Sequence, residues 1–290
     1  MDVSALKPNE GKHNNIMTDQ GMFLRYPVKT HVVMKGDSLK EMMDQYIKPY
    51  LQTGDMIFIS EKIVAISQGR AFDIDEIKPS RLAKFLCKFV YKTPYGIGLG
   101  SPWTMELAIR DIGRPKILFA ALCSAITKPF GVRGVFYKIV GDKGRAIDGP
   151  CEYTLPPYNH YAKLAPENPD QVAAELQSYT GCQVVIIDAN DLGCEVLGRS
   201  GPDVDVALCK QIFSDNPLGQ ESQQTPMAIV RKAETEQENP DAAAQAVPLD
   251  AENGVPVDGQ EETPDTPDTA VPSDVMETET ETDMPEEENA

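Results

Sequence analysis

The chain has 290 residues and a formal net charge of −18, but the charge is unevenly spread. Residues 233–290 hold 19 Asp and Glu, no Lys or Arg and no aromatic residue, which leaves 26 acidic and 27 basic residues in the first 232. Such a segment cannot bury enough apolar surface to offset the entropy of ordering it. The composition therefore predicts a flexible polar stretch over 1–20, a near-neutral domain over 21–232 and a disordered acidic tail over 233–290. No basic patch with interleaved aromatics is read, so no nucleic-acid partner is expected. The longest apolar run, Ile117 to Ile126, is too short to span a bilayer, so no membrane partner is expected either. No signal peptide is read at the polar start, and the six cysteines form no C-x-x-C pair. Both features suit reduced cysteines in a cytoplasmic protein.

In chain order, Phe23 to Met34 reads as a strand closed by Gly36. Ser38 stands three residues before Glu41, a capping box that opens an amphipathic helix to about Leu51. The turn Thr53-Gly54-Asp55 leads into a short buried strand, Met56 to Ser60. A second apolar stretch, Ile63 to Ile66, read as a short strand, precedes the polar turn Ser67-Gln68-Gly69-Arg70. Pro79 to Val90 predicts a helix with Leu82, Phe85, Leu86 and Phe89 on one face. Ser101-Pro102 and Gly113 bound a helix over 102–112. Lys116 to Ile126 is ambiguous between strand and helix. Val135 to Val140 predicts a strand, followed by a turn at Gly141 to Gly144 and a short strand reaching Asp148. Asn168 precedes Pro169 at the start of a helix ending near Thr180-Gly181. Val184 to Ile187 is a fully apolar strand, Asp203 to Phe213 the last helix and Met227 to Val230 the last strand. Strands and helices mix without a steady βαβ beat, which predicts an α+β fold on a mixed sheet.

Asp148 and Asp188 each follow an apolar run, and carboxylates at a strand's end suit a divalent cation that also meets phosphate oxygens. The same placement serves a turn or a helix cap equally well. Lys62 and Arg70 bracket the stretch Ile63 to Ile66 and are candidates for a phosphate, with solvated hairpin charges as the other reading. His160 and Lys163 lie in an aromatic, polar loop able to contact a substrate or to serve only as a tether. Gly219, Gln220, Gln223 and Gln224 form an amide-rich loop before the last strand. Neither a Walker A loop nor G-x-G-x-x-G occurs, and no catalytic nucleophile is identified.

The order of these pieces resembles the coenzyme F420-0:gamma-glutamyl ligase-like family. Gly36-Asp37-Ser38-Leu39, Gly54-Asp55, Ser60-Glu61-Lys62-Ile63-Val64 and Gly69-Arg70 are similar to its opening. Ala146-Ile147-Asp148, Leu155-Pro156-Pro157, Val184 to Asp188 and Met227 to Arg231 are similar to its later elements. The resemblance implies that family's mixed-sheet fold and a ligase-like enzyme that joins a glutamate-like amino acid to an acceptor through an amide. It implies GTP or ATP as co-substrate with Mg or Mn, a small-molecule substrate and a homodimer. By position, Asp148, Asp188 and Gln220 would be metal ligands, and Gly36, Asp37, Lys62 and Arg70 would bind the nucleotide. The chain departs from the family pattern at Gln68, where an acid is usual, at Gly149-Pro150 after Asp148, and at Ala189 after Asp188. Two other functions compete: a non-catalytic nucleotide- or metabolite-binding protein on the same fold, and an interaction protein working through its acidic tail.

Overall fold

A computed structural model describes residues 2–90, 98–132, 134–152, 154–190, 193–219 and 222–233. The acidic tail lies outside the described residues from 234 onward, as does Gln220.

Alternation along the central strands explains the layering. In β3 (Met56–Ser60), Ile57 and Ile59 join one core while Met56 and Phe58 join another. β6 (Gln183–Asn190) and β8 (Met227–Lys232) divide their side chains in the same way. The sheet is thus buried on both faces, which is why these runs read as continuously apolar. Together with β1 (Asn15–Thr18), β2 (Gly21–Val28) and β7 (Gly193–Arg199) they form one mixed sheet in the order β1-β2-β8-β3-β6-β7. Among the described residues of this sheet, only β3 and β6 pair in parallel.

One face is covered by α1 (Leu39–Met42) with its continuation to Tyr50, by α2 (Glu61–Ser67), and by Ala173 and Leu176 of a helix over 169–180. The other face is covered by a helix over 206–212, where Phe213 stacks on Phe58 at 4.2 Å between ring centroids. A third core is built on α3 (Arg81–Leu86), α4 (Pro102–Ile112), α5 (Arg114–Thr127) and α6 (Val135–Val140), with α7 (Asp142–Arg145) adjoining α4 and α6. It also takes in the ribbon of β4 (Ala71–Asp73) and β5 (Tyr161–Lys163). The remaining helices, α8 (Pro169–Thr180) and α9 (Val206–Ile212), complete the elements.

Several expectations meet the coordinates residue for residue. Ser38 accepts a hydrogen bond from the Glu41 N–H, and Ser101 caps the helix over 102–112 that Gly113 ends at φ +96°. Others need correction. Ile63 to Ile66 is helical because Ser60 ends β3 and caps α2 at once, its side chain accepting from the Lys62 N–H. Val135 to Val140 is also a helix: Gly134 (φ +77°) and Gly141 (φ +76°) bound it, and it packs on α5 rather than beside a strand. The strand expected over 23–34 stops at Val28. Phe85 and Phe89 are exposed, and it is Ala83, Leu86 and Cys87 that enter the core. Residues 15–18, placed by sequence in a flexible stretch, pair with β2 as an edge strand. Lys12 and Asn9 further tie that stretch to the Asp215 and Pro217 carbonyls.

Candidate functional site

The parallel pairing of β3 and β6 sets the site. Its register places Ser60 opposite Ile187, so the next residues, Glu61 at the start of α2 and Asp188 still on β6, lie side by side where the parallel pairing ends. The crevice beyond the carboxyl ends of parallel strands is where open α/β sheets bind ligands. A second pair arrives from the ribbon. Asp148 and Lys163 exchange backbone hydrogen bonds of 2.8 and 3.0 Å as an isolated bridge, which brings both side chains to the same cluster. Lys62 Nζ lies 3.4 Å from Asp148 Oδ2.

The electrostatics follow from crowding and burial. Glu61 is buried, and burial, then the charges of Asp188 and Asp148, push its carboxyl well above the usual range. Burial likewise raises Asp188, with Asp148 and Glu195 adding to the shift against Lys62. For Lys62, burial works against the ammonium, but Asp148, Glu61 and Asp188 outweigh it and the pKa rises. Lys163, 4 % exposed, is lowered, chiefly by burial. Three acids and two lysines thus share a cluster in which Glu61 and Lys163 are buried while the Lys62 and Asp148 side chains stay 41 % and 44 % exposed.

Lys62 and Asp188 line a cavity of about 150 Å³, together with Thr30 to Val33 after β2, Leu155 and Tyr158, and Leu218, Gly219 and Gln223 to Pro226 ahead of β8. Tyr158 is held by donating to the Val33 carbonyl at 2.8 Å. The wall before β8 is strained. Gln224 has φ +61°, an uncommon backbone for a residue with a Cβ, and its amide and carbonyl are both tied to Thr30. Such strain persists only where the surroundings impose it, and it concentrates at functional sites.

Of the residues proposed from sequence, Lys62, Asp148, Lys163 and Asp188 come together. Arg70 does not join them: its guanidinium donates to the Ala165 carbonyl at 2.5 Å and to Asp111 at 2.7 Å, bracing α4 against the end of α2. Gln68 also does structural duty, its side chain exchanging two hydrogen bonds with the Glu167 backbone. Gly36, at φ +90°, and Asp37 form the turn before α1. There the Asp37 carboxylate accepts from the Met34 N–H and pairs with His31. His31 lines the cavity, so this turn reaches the site through its partner. His160 lies elsewhere, 3.3 Å from Asp75 and 3.9 Å from Asp73. Gln220 is outside the described residues, although its neighbour Gly219 lines the cavity. Glu61 is the site residue that sequence reasoning passed over. The signal was present, a carboxylate directly after the buried run Met56 to Ser60, but the sequence reading gave the site role to Lys62 beside it.

Residues 27–126 match the family model of F420-0:gamma-glutamyl ligase. The match spans 100 of the 290 residues, so it is this stretch that is similar to the ligase family. The matched stretch contains the Gly36-Asp37 turn, Glu61 and Lys62, whereas Asp148, Lys163 and Asp188 reach the cluster from beyond it. The chain is also 28% identical over 174 residues to an uncharacterized protein of Methanocaldococcus jannaschii. That alignment covers 57% of this chain and 56% of its relative, so the chain spans just over half the relative's length. In this chain Glu61, Asp148 and Asp188 come together beside Lys62, while Gln68 and Arg70 serve the scaffold.

The cluster's fitness for a cation can be judged on its own atoms. Glu61 Oε2 is buried and has no hydrogen-bond partner. An orphaned carboxylate oxygen in a low dielectric is costly, and a divalent ion relieves both that cost and the repulsion that raises Glu61 and Asp188. The donors are hard oxygens, the set that Mg²⁺ and Mn²⁺ prefer. Among the described residues, the group whose ligating atoms already lie within 4.8 Å of one another is instead Asp73, Asp75 and His160. Glu61, Asp148 and Asp188 are not drawn together to that distance.

Proposed function

We propose that this protein is a nucleotide- and divalent-metal-dependent ligase that forms an amide between a glutamate-like amino acid and an acceptor of unknown structure. The observation that supports this most directly is the convergence of Glu61, Asp148 and Asp188 with Lys62 and Lys163 at one strand end. A cavity of about 150 Å³ is smaller than the roughly 300–1,000 Å³ of a whole-ligand pocket. It suits the terminal phosphates of GTP or ATP and the carboxylate that receives one.

In this reading an acceptor carboxylate oxygen attacks the γ-phosphorus, the β–γ bridging bond breaks and the nucleoside diphosphate leaves. The amino group then attacks the acyl carbon, phosphate departs and the amine loses its proton. A metal held by Glu61, Asp148 and Asp188 would supply neutralisation of the transferred phosphoryl charge. Lys62 holds a phosphate oxygen, and its pairing with Asp148 keeps the ammonium fixed before substrate arrives. Lys163, its ammonium disfavoured by burial, positions the substrate carboxylate. His31, oriented by Asp37 and Tyr46, contacts the nucleotide across the cavity. A homodimer and a cytoplasmic setting accompany this reading.

A second reading has its own support. Gln68 and Arg70 are committed to Glu167, Ala165 and Asp111, which favours a binding protein that kept the cavity and lost turnover. Calorimetric titration of the full chain with GTP and with ATP, with and without Mn²⁺, separates the possibilities when paired with glutamate-dependent phosphate release. Metal-dependent nucleotide binding that disappears in Asp148→Asn and Asp188→Asn, together with phosphate release, is the expected outcome. Binding without release moves the assignment to the non-catalytic reading. No binding in a folded chain overturns both.

A further inference from the structure

The strongest feature outside the cavity is the outer face of α5. Ile117 and Ala120 are buried in the third core, yet Leu118, Phe119, Leu122 and Ile126 are 47–59 % exposed. At 100° per residue these four span a single arc opposite the buried stripe, and Phe130 and Val132 extend it, Phe130 being 81 % exposed. A helix that is apolar on both sides is ordinarily buried on both, so this arc has a partner to find.

Charge identifies the partner. Residues 78–145 contain thirteen Lys and Arg against Glu106, Asp111 and Asp142, in a chain of net charge −18. Glu106 is paired with Arg110 and Asp111 with Arg70. The exposed Arg114, Lys116 and Lys128 that border the apolar arc have no acidic partner among the described residues. On α3 and the turn after it, exposed Lys84 and Lys88 alternate with exposed Phe85 and Phe89. An apolar arc rimmed by cations alone is poorly suited to a second copy of itself, because a two-fold contact sets like charges against each other. A polyanion such as nucleic acid satisfies the cations but leaves Leu118, Leu122 and Ile126 in water.

We propose that α5 and the turn after it dock on an anionic lipid surface, with Leu118, Phe119, Leu122, Ile126 and Phe130 entering the acyl boundary and Arg114, Lys116 and Lys128 meeting headgroup phosphates. The helix is about 21 Å long at 1.5 Å per residue, too short to cross a bilayer but sufficient to lie in its interface. The absence of a spanning run, from which no membrane partner was expected, does not bear on such a surface contact. The chain's net negative charge belongs to residues 233–290, whereas residues 1–232 hold 27 basic and 26 acidic residues and so carry no excess of negative charge against such a surface.

Co-sedimentation of the full chain with phosphatidylcholine vesicles, with and without phosphatidylserine, tests this. The wild type is expected to partition onto the anionic vesicles and to be released by high salt. Phe119→Asp/Leu122→Asp, both at exposed positions, is expected to lose partition at least about tenfold with its melting temperature unchanged. Lys116→Glu/Lys128→Glu is expected to lose about tenfold as well, since each cation near the surface contributes severalfold. Failure to bind anionic vesicles, or equal binding to neutral ones, overturns the proposal. So does binding that survives Phe119→Asp/Leu122→Asp, which marks a polyanion contact. Analytical ultracentrifugation showing that this variant turns a dimer into a monomer overturns it too, because the face is then an interface between copies.

Discussion

Arg25 has no exposed surface, and its guanidinium is divided among the Ile212 carbonyl at 2.8 Å, the His13 carbonyl at 2.7 Å and the carboxylate of Asp215. It fastens β2 to the end of α9 and to the segment before β1. Removing the counter-ion strands a buried cation, so Asp215→Ala is expected to cost about 2 kcal/mol, reduced from the fully buried case because Asp215 is partly solvated. Urea denaturation measures it. Glu61 poses the opposite problem. Its carboxyl is raised in the fold, so the fold opposes its ionisation. That penalty is absent below the unfolded value of about 4 and grows as pH rises toward and through the folded value. Glu61→Gln is therefore expected to be more stable than wild type at neutral pH, with the gap closing as pH falls to about 4. Denaturation midpoints across pH would show parallel curves if Glu61 were solvated. Mn²⁺ is expected to raise the midpoint of the wild type at neutral pH more than that of the variant.

At the scale of elements, α8 lies so close to β7 that Gly198 has no room for a side chain. A Cβ there would stand 2.5 Å from the Pro169 carbonyl carbon, and that backbone is fixed by the Arg199 N–H donating to Asp170 at 2.8 Å. Gly198→Ala is expected to cost about 2 kcal/mol, detectable as a lower thermal midpoint with an unchanged circular dichroism spectrum at low temperature. What could be read from the chain divides along the same physical line. Helices with a polar cap and a glycine stop, such as α4, and strands buried on both faces, such as β3 and β6, declare themselves locally. Short apolar runs do not. Six residues from Val135 to Val140 carry no usable period, and only packing against α5 decides for helix. β7 escaped notice because its residues are half-buried and its pairing with β6 is a long-range fact. In the candidate site, Asp148, Asp188 and Lys62 were legible as residue types at strand ends. Their meeting was not, because it depends on the Ser60–Ile187 register, across 127 residues, and on the Asp148–Lys163 bridge, across 15. Arg70 misled for the complementary reason: a cation beside a glycine looks the same in sequence whether it awaits a phosphate or an aspartate.

For the molecule as a whole, the position of β8 is decisive. Among the described residues it is the last strand in sequence, yet it lies between β2 and β3 near the middle of the sheet. Arg231 on β8 also clamps Asp55 with hydrogen bonds of 2.7 and 2.8 Å. Deleting residues 227–232 is expected to abolish cooperative thermal unfolding altogether, whereas deleting residues 234–290 is expected to leave it intact. Circular dichroism melts of the two shortened chains distinguish these outcomes. The same arrangement governs how the protein is made. A ribosome adding about 5–20 residues each second needs roughly ten to thirty seconds to pass from the end of β3 to the start of β8. Throughout that interval β2 and β3 have emerged with their facing edges unpaired, and unpaired edges recruit strands from other chains. The sheet cannot close during synthesis until its last strand arrives, so the nascent chain is most vulnerable to misassembly late, when most of its apolar surface already exists.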